Sequence, residues 1–184
     1  MRLALAAALC VIALTACQRQ PRKEAAPVAA APTVGFQHEA GFDAQGYYKT
    51  LQPIGDGALK LTGLAIGAPS DFEAWESGKR EEVFGPIVLQ FEDLSSPIED
   101  AENGQRRKVR VELKPTAYRI SPGQFAFQGN DPKLGQVDVQ GVFDTAALAQ
   151  AKAGQPDARP TLNATVTIGG KAFVGVGLAY QSGD

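Results

Sequence analysis

The chain of 184 residues is 44% hydrophobic and 21% charged, and its 18 Lys+Arg against 20 Asp+Glu leave a formal charge of −2. That is the composition of about one globular domain, and the balance excludes a strongly basic nucleic-acid binder. Two cysteines and one histidine remove most thiol, imidazole and zinc chemistry before any motif is sought.

The N-terminus carries one cation, Arg2, followed by an apolar run from Leu3 to Leu14. A membrane span needs about 20 apolar residues, so this shorter run between a basic start and small residues reads as a secretory signal. Its closing residues, Leu14-Thr15-Ala16-Cys17, resemble the lipobox of bacterial lipoproteins: an aliphatic residue, two small ones, then cysteine. The resemblance covers the leader only. It implies that residues 1–16 are a signal peptide cut before Cys17, that the Cys17 thiol takes a diacylglycerol thioether, and that the new amino group is acylated. The protein would then attach to a membrane through lipid on Cys17, and several acyl chains on one residue would hold it durably. The resemblance further implies that Gln18, where an aspartate would signal inner-membrane retention, directs the protein to the bacterial outer membrane with its domain in the periplasm. Cys10 would leave with the leader, and capped Cys17 leaves a mature chain with neither thiol nor disulfide.

Residues 17–35 come next as the lipidated cysteine and a tether rich in proline and alanine, in which Val28 is one of the few larger aliphatic side chains. Such a stretch cannot bury a core and lifts the downstream domain off the membrane. Arg19, Arg22 and Lys23 stand where they can meet anionic headgroups or simply remain solvated. A single domain is expected over residues 36–184, where 14 Lys+Arg face 19 Asp+Glu for a net −5.

Within the domain, period-two alternation predicts strands at Ala58 to Ile66, at Ile87, Leu89 and Phe91, and at Val109, Val111 and Leu113. Tyr118 and Ile120 should pair with Phe125 and Phe127 across the turn Ser121-Pro122-Gly123. Further strands are expected at Gln136 to Phe143, Leu162 to Ile168 and Ala172 to Tyr180. Ser70-Asp71-Phe72-Glu73 matches a capping box for a short helix ending at Gly78, and Asp144-Thr145 opens a second helix closed by Gly154. About eight strands with one or two short helices predict a mainly β fold, a single antiparallel β-sandwich or partly closed β-barrel.

The last two strands admit two registers. A two-residue turn at Gly169-Gly170 places Leu162, Ala164, Val166 and Ile168 opposite Gly177, Gly175, Phe173 and Lys171. A three-residue loop including Lys171 slips the pairing by one and aligns the large apolar sets instead, which is the arrangement favoured here.

Candidate chemistry is sparse. His38, beside the tether, looks exposed at a domain edge and makes a poor base for a serine nucleophile. Glu99, Asp100 and Glu102 form an oxygen-rich loop that could hold calcium but lacks EF-hand spacing, and the adjacent Arg106, Arg107 and Lys108 favour an ion-paired, solvated hairpin loop. Phe72, Trp75, Tyr47 and Tyr48 are the candidate binding residues, rigid anchors for a partner or glycan; as core residues, Phe72 and Trp75 would cover the open end of a sandwich. No catalytic residue, metal ligand or cofactor is assigned.

The resulting expectation is a non-catalytic binding or assembly module for another envelope component, with a protein as partner and no role for nucleic acid. An inhibitor or immunity lipoprotein against a basic cell-wall hydrolase is a special case. A carboxylate-based glycan-acting enzyme and a small-ligand carrier with an apolar cavity are the alternatives.

Overall fold

The computed structural model describes residues 35–80, 85–101, 104–155 and 159–181. The expected leader, Cys17 and the tether up to residue 34 lie outside the described residues, as does Glu102.

In chain order the strands are β1 (Phe36–His38), β2 (Gly46–Ile54), β3 (Leu59–Ile66), β4 (Ile87–Asp93), β5 (Ile98–Ala101), β6 (Gly104–Arg107), β7 (Arg110–Leu113), β8 (Ala117–Ser121), β9 (Gln124–Asp131), β10 (Gly135–Phe143), β11 (Leu162–Ile168) and β12 (Lys171–Gln181). Helix α1 (Pro69–Glu76) separates β3 from β4, and α2 (Thr145–Lys152) separates β10 from β11. Ten strands form one curled sheet in the order β1-β8-β9-β10-β11-β12-β2-β3-β4-β7, and β5-β6 form a separate hairpin. The fold is mainly β, a partly closed barrel.

The eight expected strands are present; β1, β2, β5 and β6 are additional. The sheet also departs from all-antiparallel pairing, because β1 lies parallel to β8 with Phe36 opposite Tyr118. Closure follows from β7 and β8, which lie near opposite ends of the sheet order yet are joined only by Lys114-Pro115-Thr116. The Thr116 N–H donates to the Gln128 carbonyl at 2.7 Å. A side chain at Gly129 would meet the Leu113 Cγ at 2.9 Å, so the missing Cβ lets the β7 end approach β9.

Alternation places the expected apolar faces inward. Ile87, Leu89 and Phe91 are buried, as are Leu61, Leu64 and Ile66 opposite them. The β8–β9 hairpin has the anticipated register, with Tyr118 opposite Phe127 and Ile120 opposite Phe125. The facing rings fill the curl: Phe143 meets Phe125, Tyr48 and Phe42 at 5.8, 6.1 and 5.1 Å.

Both helices stop where their sequence signals place them. Asp144 caps α2 by accepting from the Ala147 N–H at 2.9 Å. At the end of α1, the Gly78 and Lys79 N–H groups donate to the Trp75 and Ala74 carbonyls, with Gly78 at φ +92°, the paired C-terminal closure that glycine permits. The start of α1 corrects the expectation: the cap is Ala68, not Ser70. Proline at the first helical position has a suitable φ and no N–H to leave unpaired. Asp71 then reaches back to accept from the Ala68 N–H at 2.7 Å, the role expected of Glu73.

The β11–β12 ribbon uses both registers. Beside the turn, Ile168 pairs with Lys171 and Val166 with Phe173; beyond a bulge, Ala164 pairs with Val176 and Leu162 with Leu178. The favoured single register is therefore corrected. Between the two sections stands Gly175 at φ +73° with nothing within 4 Å of a built Cβ. The extra residue lets Phe173, Val176 and Leu178 all turn inward while the tight turn is kept. Because only backbone conformation opposes a side chain there, Gly175→Ala is expected to lower stability by about 1–2 kcal/mol, read as a lower urea midpoint. An unchanged midpoint would mean that the bulge moves along the strand without cost.

Candidate functional site

Three of the four aromatic candidates are interior residues. Tyr48 is 1% exposed and its hydroxyl donates to the Ala44 carbonyl at 2.7 Å. On α1, Phe72 and Trp75 are buried. Phe72 packs edge-on to Tyr118 at 5.4 Å and Trp75 edge-on to Phe36 at 6.2 Å. The helix thus closes over β1 and β8 with its apolar side, the core role considered for these two rings. Tyr48, Phe72 and Trp75 are therefore withdrawn as surface anchors, whereas Tyr47, one position along β2 and on its other face, is 57% exposed.

His38 corrects a second expectation, since its side chain is only 11% exposed. Its ring stacks on Phe72 at 4.9 Å, and Nδ1 lies 2.9 Å from Glu76 Oε1. The Tyr118 hydroxyl donates to the same oxygen at 2.9 Å. A carboxylate orienting an imidazole is half of a nucleophile-activating arrangement, but His38 Nε2 is buried with no hydrogen-bond partner among the described residues. The three side chains instead tie β1, α1 and β8 together. Removing the ring by His38→Ala is expected to cost about 1–3 kcal/mol through the lost charge-assisted bond, measured by urea unfolding. A neutral result would reduce His38 to a filler.

The acidic loop is the β5–β6 hairpin. Glu99 stands opposite Arg106 and their charged groups meet at 3.1 Å, while the Gln105 amide reaches Asp100 at 3.5 Å. Among the described residues no group of three or more acidic, histidine or cysteine side chains could hold a metal ion.

This hairpin builds a groove. The β4–β7 ribbon bends beyond Asp93, where the Asp93 carboxylate accepts from the Ser95 N–H at 2.9 Å and its hydroxyl at 2.6 Å. Those bonds hold the Asp93 carboxyl below its ordinary range. Ser96 secures the bend from its hydroxyl, which donates to the Asp93 carbonyl and accepts from the Val109 N–H. Arg107 crosses back to the Ser96 carbonyl at 2.9 Å.

The groove encloses about 670 Å³ between the hairpin and strands β2, β4 and β7. Tyr47 borders it from β2, Gln90 and Glu92 from β4, Arg110 and Glu112 from β7, and Gln105 and Arg106 from β6. The register sets Gln90 opposite Glu112 and Glu92 opposite Arg110, so acids, base and amide share one face. A Cβ at Gly63 would come within 3.0 Å of Gln90 Oε1, so the bare backbone of β3 leaves room for that amide. Of the groove residues only Tyr47 was a candidate from sequence. The alternating charges of Arg110 and Glu112 mark a wet strand face, yet nothing local says that a hairpin bends beside it.

No protein-family model matches the chain, and no curated protein or solved structure is significantly similar to it.

Proposed function

We propose that the chain is an outer-membrane lipoprotein whose β-domain is a non-catalytic binding module for another component of the bacterial envelope. In this reading the leader is removed before Cys17, acyl chains on that residue hold the protein, and residues 18–34 give the domain its reach into the periplasm. The support for the address is the residue pattern Leu14-Thr15-Ala16-Cys17 behind a short apolar run.

The observation that carries the binding role is a groove of about 670 Å³ outside the barrel, bordered by exposed Tyr47 and by strand-borne polar groups. Inside the curl, aromatic rings pack against one another, and among the described residues the pocket beside His38 offers about 10 Å³. A small-ligand carrier needs an interior cavity of several hundred Å³. The groove is therefore the better place for an occupant.

The test is a crosslinking capture from solubilised envelope with the acylated chain as bait, run beside Tyr47→Ala and Arg110→Ala. A stoichiometric component captured by the native chain and lost with both variants is expected. Capture that ignores both substitutions would remove the groove from the function. A glycan-acting enzyme is distinguished by Glu92→Gln with Glu112→Gln, which would abolish turnover of an envelope glycan, whereas a binding module alters affinity alone.

A further inference from the structure

We infer that the occupant of the groove is a neutral oligosaccharide, an assignment that rests on reading the groove as the binding surface. A sugar offers two chemistries to a protein: C–H faces that lie against an aromatic ring, and neighbouring hydroxyls that pair with planar amide, carboxylate and guanidinium groups. Both are met here.

Tyr47 presents its ring to solvent at 57% exposure, and among the described residues it takes no part in the ring-to-ring contacts that hold the interior. Around the same groove stand Gln90 and Gln105 as amides, Glu92 and Glu112 as acceptors and Arg110 as a forked donor. Two of these groups are weakly engaged: Arg110 lies 3.5 Å from Glu112, and Gln105 lies 3.5 Å from Asp100. Contacts of that length lie beyond ordinary hydrogen-bond geometry, so both donors can turn to a ligand.

Charge and shape narrow the class. The lining carries Glu92 and Glu112 beside Arg110 and Arg106, and Arg106 is already paired with Glu99, so the groove offers no basic patch to an anionic polymer. Its volume of about 670 Å³ falls within the span of small-molecule sites, about 300–1,000 Å³, and suits a few sugar rings rather than a folded domain. A protein segment would be held by side chains sunk into apolar pockets. Of the apolar residues along the groove, Phe91 is fully buried and Val111 is partly buried against the core, so Tyr47 is the large, mostly exposed ring presented there. The strand scaffold holds the polar groups in place before binding, which limits the ordering cost of a flexible, hydroxyl-rich ligand.

The experiment uses the acylated chain in a zwitterionic detergent without a sugar headgroup, because glucoside detergents would compete. Cellotriose, maltotriose and the β-1,4 trimer of N-acetylglucosamine are each titrated by calorimetry and by saturation-transfer NMR. At least one trimer is expected to bind saturably. Tyr47→Ala should weaken it about tenfold or more, as loss of a ring-stacking contact does, while Tyr47→Phe stays within about threefold. Because Tyr47 is exposed, the unfolding midpoint of Tyr47→Ala should equal that of the native chain, which separates lost contact from lost fold. Failure of all three trimers to saturate, or binding indifferent to both Tyr47→Ala and Arg110→Ala, would overturn the inference. If no trimer binds but an envelope protein is captured through Tyr47 and Arg110, the oligosaccharide assignment falls and the binding role stands. If neither is seen, both fall.

Discussion

Replacing Phe143 with alanine is expected to cost about 3–5 kcal/mol, the usual range for emptying a buried aromatic site. The ring lies at the end of β10, 4% exposed, where three parts of the chain converge. Phe42 leads into β2, Tyr48 lies on β2 and Phe125 on β9, and all three meet Phe143 edge-on at 5.1 to 6.1 Å. These rings are held by strands in a continuous sheet, so they cannot collapse far into the space left behind. A domain of this size has roughly 5–15 kcal/mol in total, and such a loss would bring it close to unfolding at ordinary temperature. Urea unfolding followed by circular dichroism and by the single tryptophan, buried Trp75, should show one lowered midpoint on both signals. Phe143→Leu, which keeps most of the volume, should recover much of the difference. A loss below about 1 kcal/mol for the alanine variant would mean that the site closes up and that Phe143 is no hub.

The second large effect is a collapse of stability at alkaline pH. Burial first, and then the nearby Tyr180 and Asp43, push the Tyr48 phenol far above the ordinary tyrosine range. At Tyr118 burial again leads, followed by the bond to Glu76 and the negative charge of that carboxylate, with Arg80 opposing. Both phenols therefore stay protonated in the fold while the unfolded chain releases their protons above about pH 10. The folded state then binds more protons than the unfolded one, so stability falls as pH rises through that window and is unaffected by these groups below it. Each tyrosine contributes at most about 1.4 kcal/mol per pH unit, and the two together make a steep decline. Urea midpoints measured from neutral pH to about pH 11.5 should be flat with respect to these groups and then drop. Tyr48→Phe should lower the plateau slightly by removing the bond to Ala44 and should make the alkaline drop shallower. A profile that stays level through about pH 11 would show that both hydroxyls reach water.

These two effects concern the interior, and the groove is independent of them by construction. Tyr47 and the polar side chains that border it project from the outer faces of β2, β4 and β7 and from β6, so substitutions of those residues should alter binding without moving the unfolding midpoint by more than about 0.5 kcal/mol. The separation gives the functional tests a clean background. A binding defect in Tyr47→Ala cannot be assigned to loss of the aromatic core that Tyr48, its neighbour on the opposite face, helps to fill.

The parts of the molecule legible in the amino-acid order are those built from contacts between near neighbours. The β8–β9 hairpin follows from Pro122-Gly123 between two apolar alternations, and its register is the one observed. The α2 start follows from Asp144, whose side chain needs to reach only three residues ahead. Where two local signals compete, the reading slips: Ser70 resembles a cap, yet Pro69 is better placed at the first helical position and moves the start to Ala68. Strand β2 escaped notice because Tyr47 and Tyr48 stand side by side and Pro53 interrupts its far end. Its alternation, with Tyr48 and Thr50 buried between exposed Tyr47, Lys49 and Leu51, becomes plain only once the faces are known.

The sequence by itself thus determined the mainly β character, the positions of eight strands and two helices, and the C-terminal ends of both helices. Each of those signals lies within a few residues and acts through period-two alternation, a cap or a turn. Tertiary structure alone decided that His38 is half-buried and shares the Glu76 carboxylate with Tyr118, that β1 runs parallel to β8, that the last ribbon changes register at Gly175, and that Tyr47 borders a groove with Gln90, Gln105 and Arg110. Those outcomes depend on residues tens of positions apart, brought together by closure of the sheet and a bend in one ribbon. Packing energies summed over the whole curl set that geometry, and no single stretch of the chain carries a signal for it.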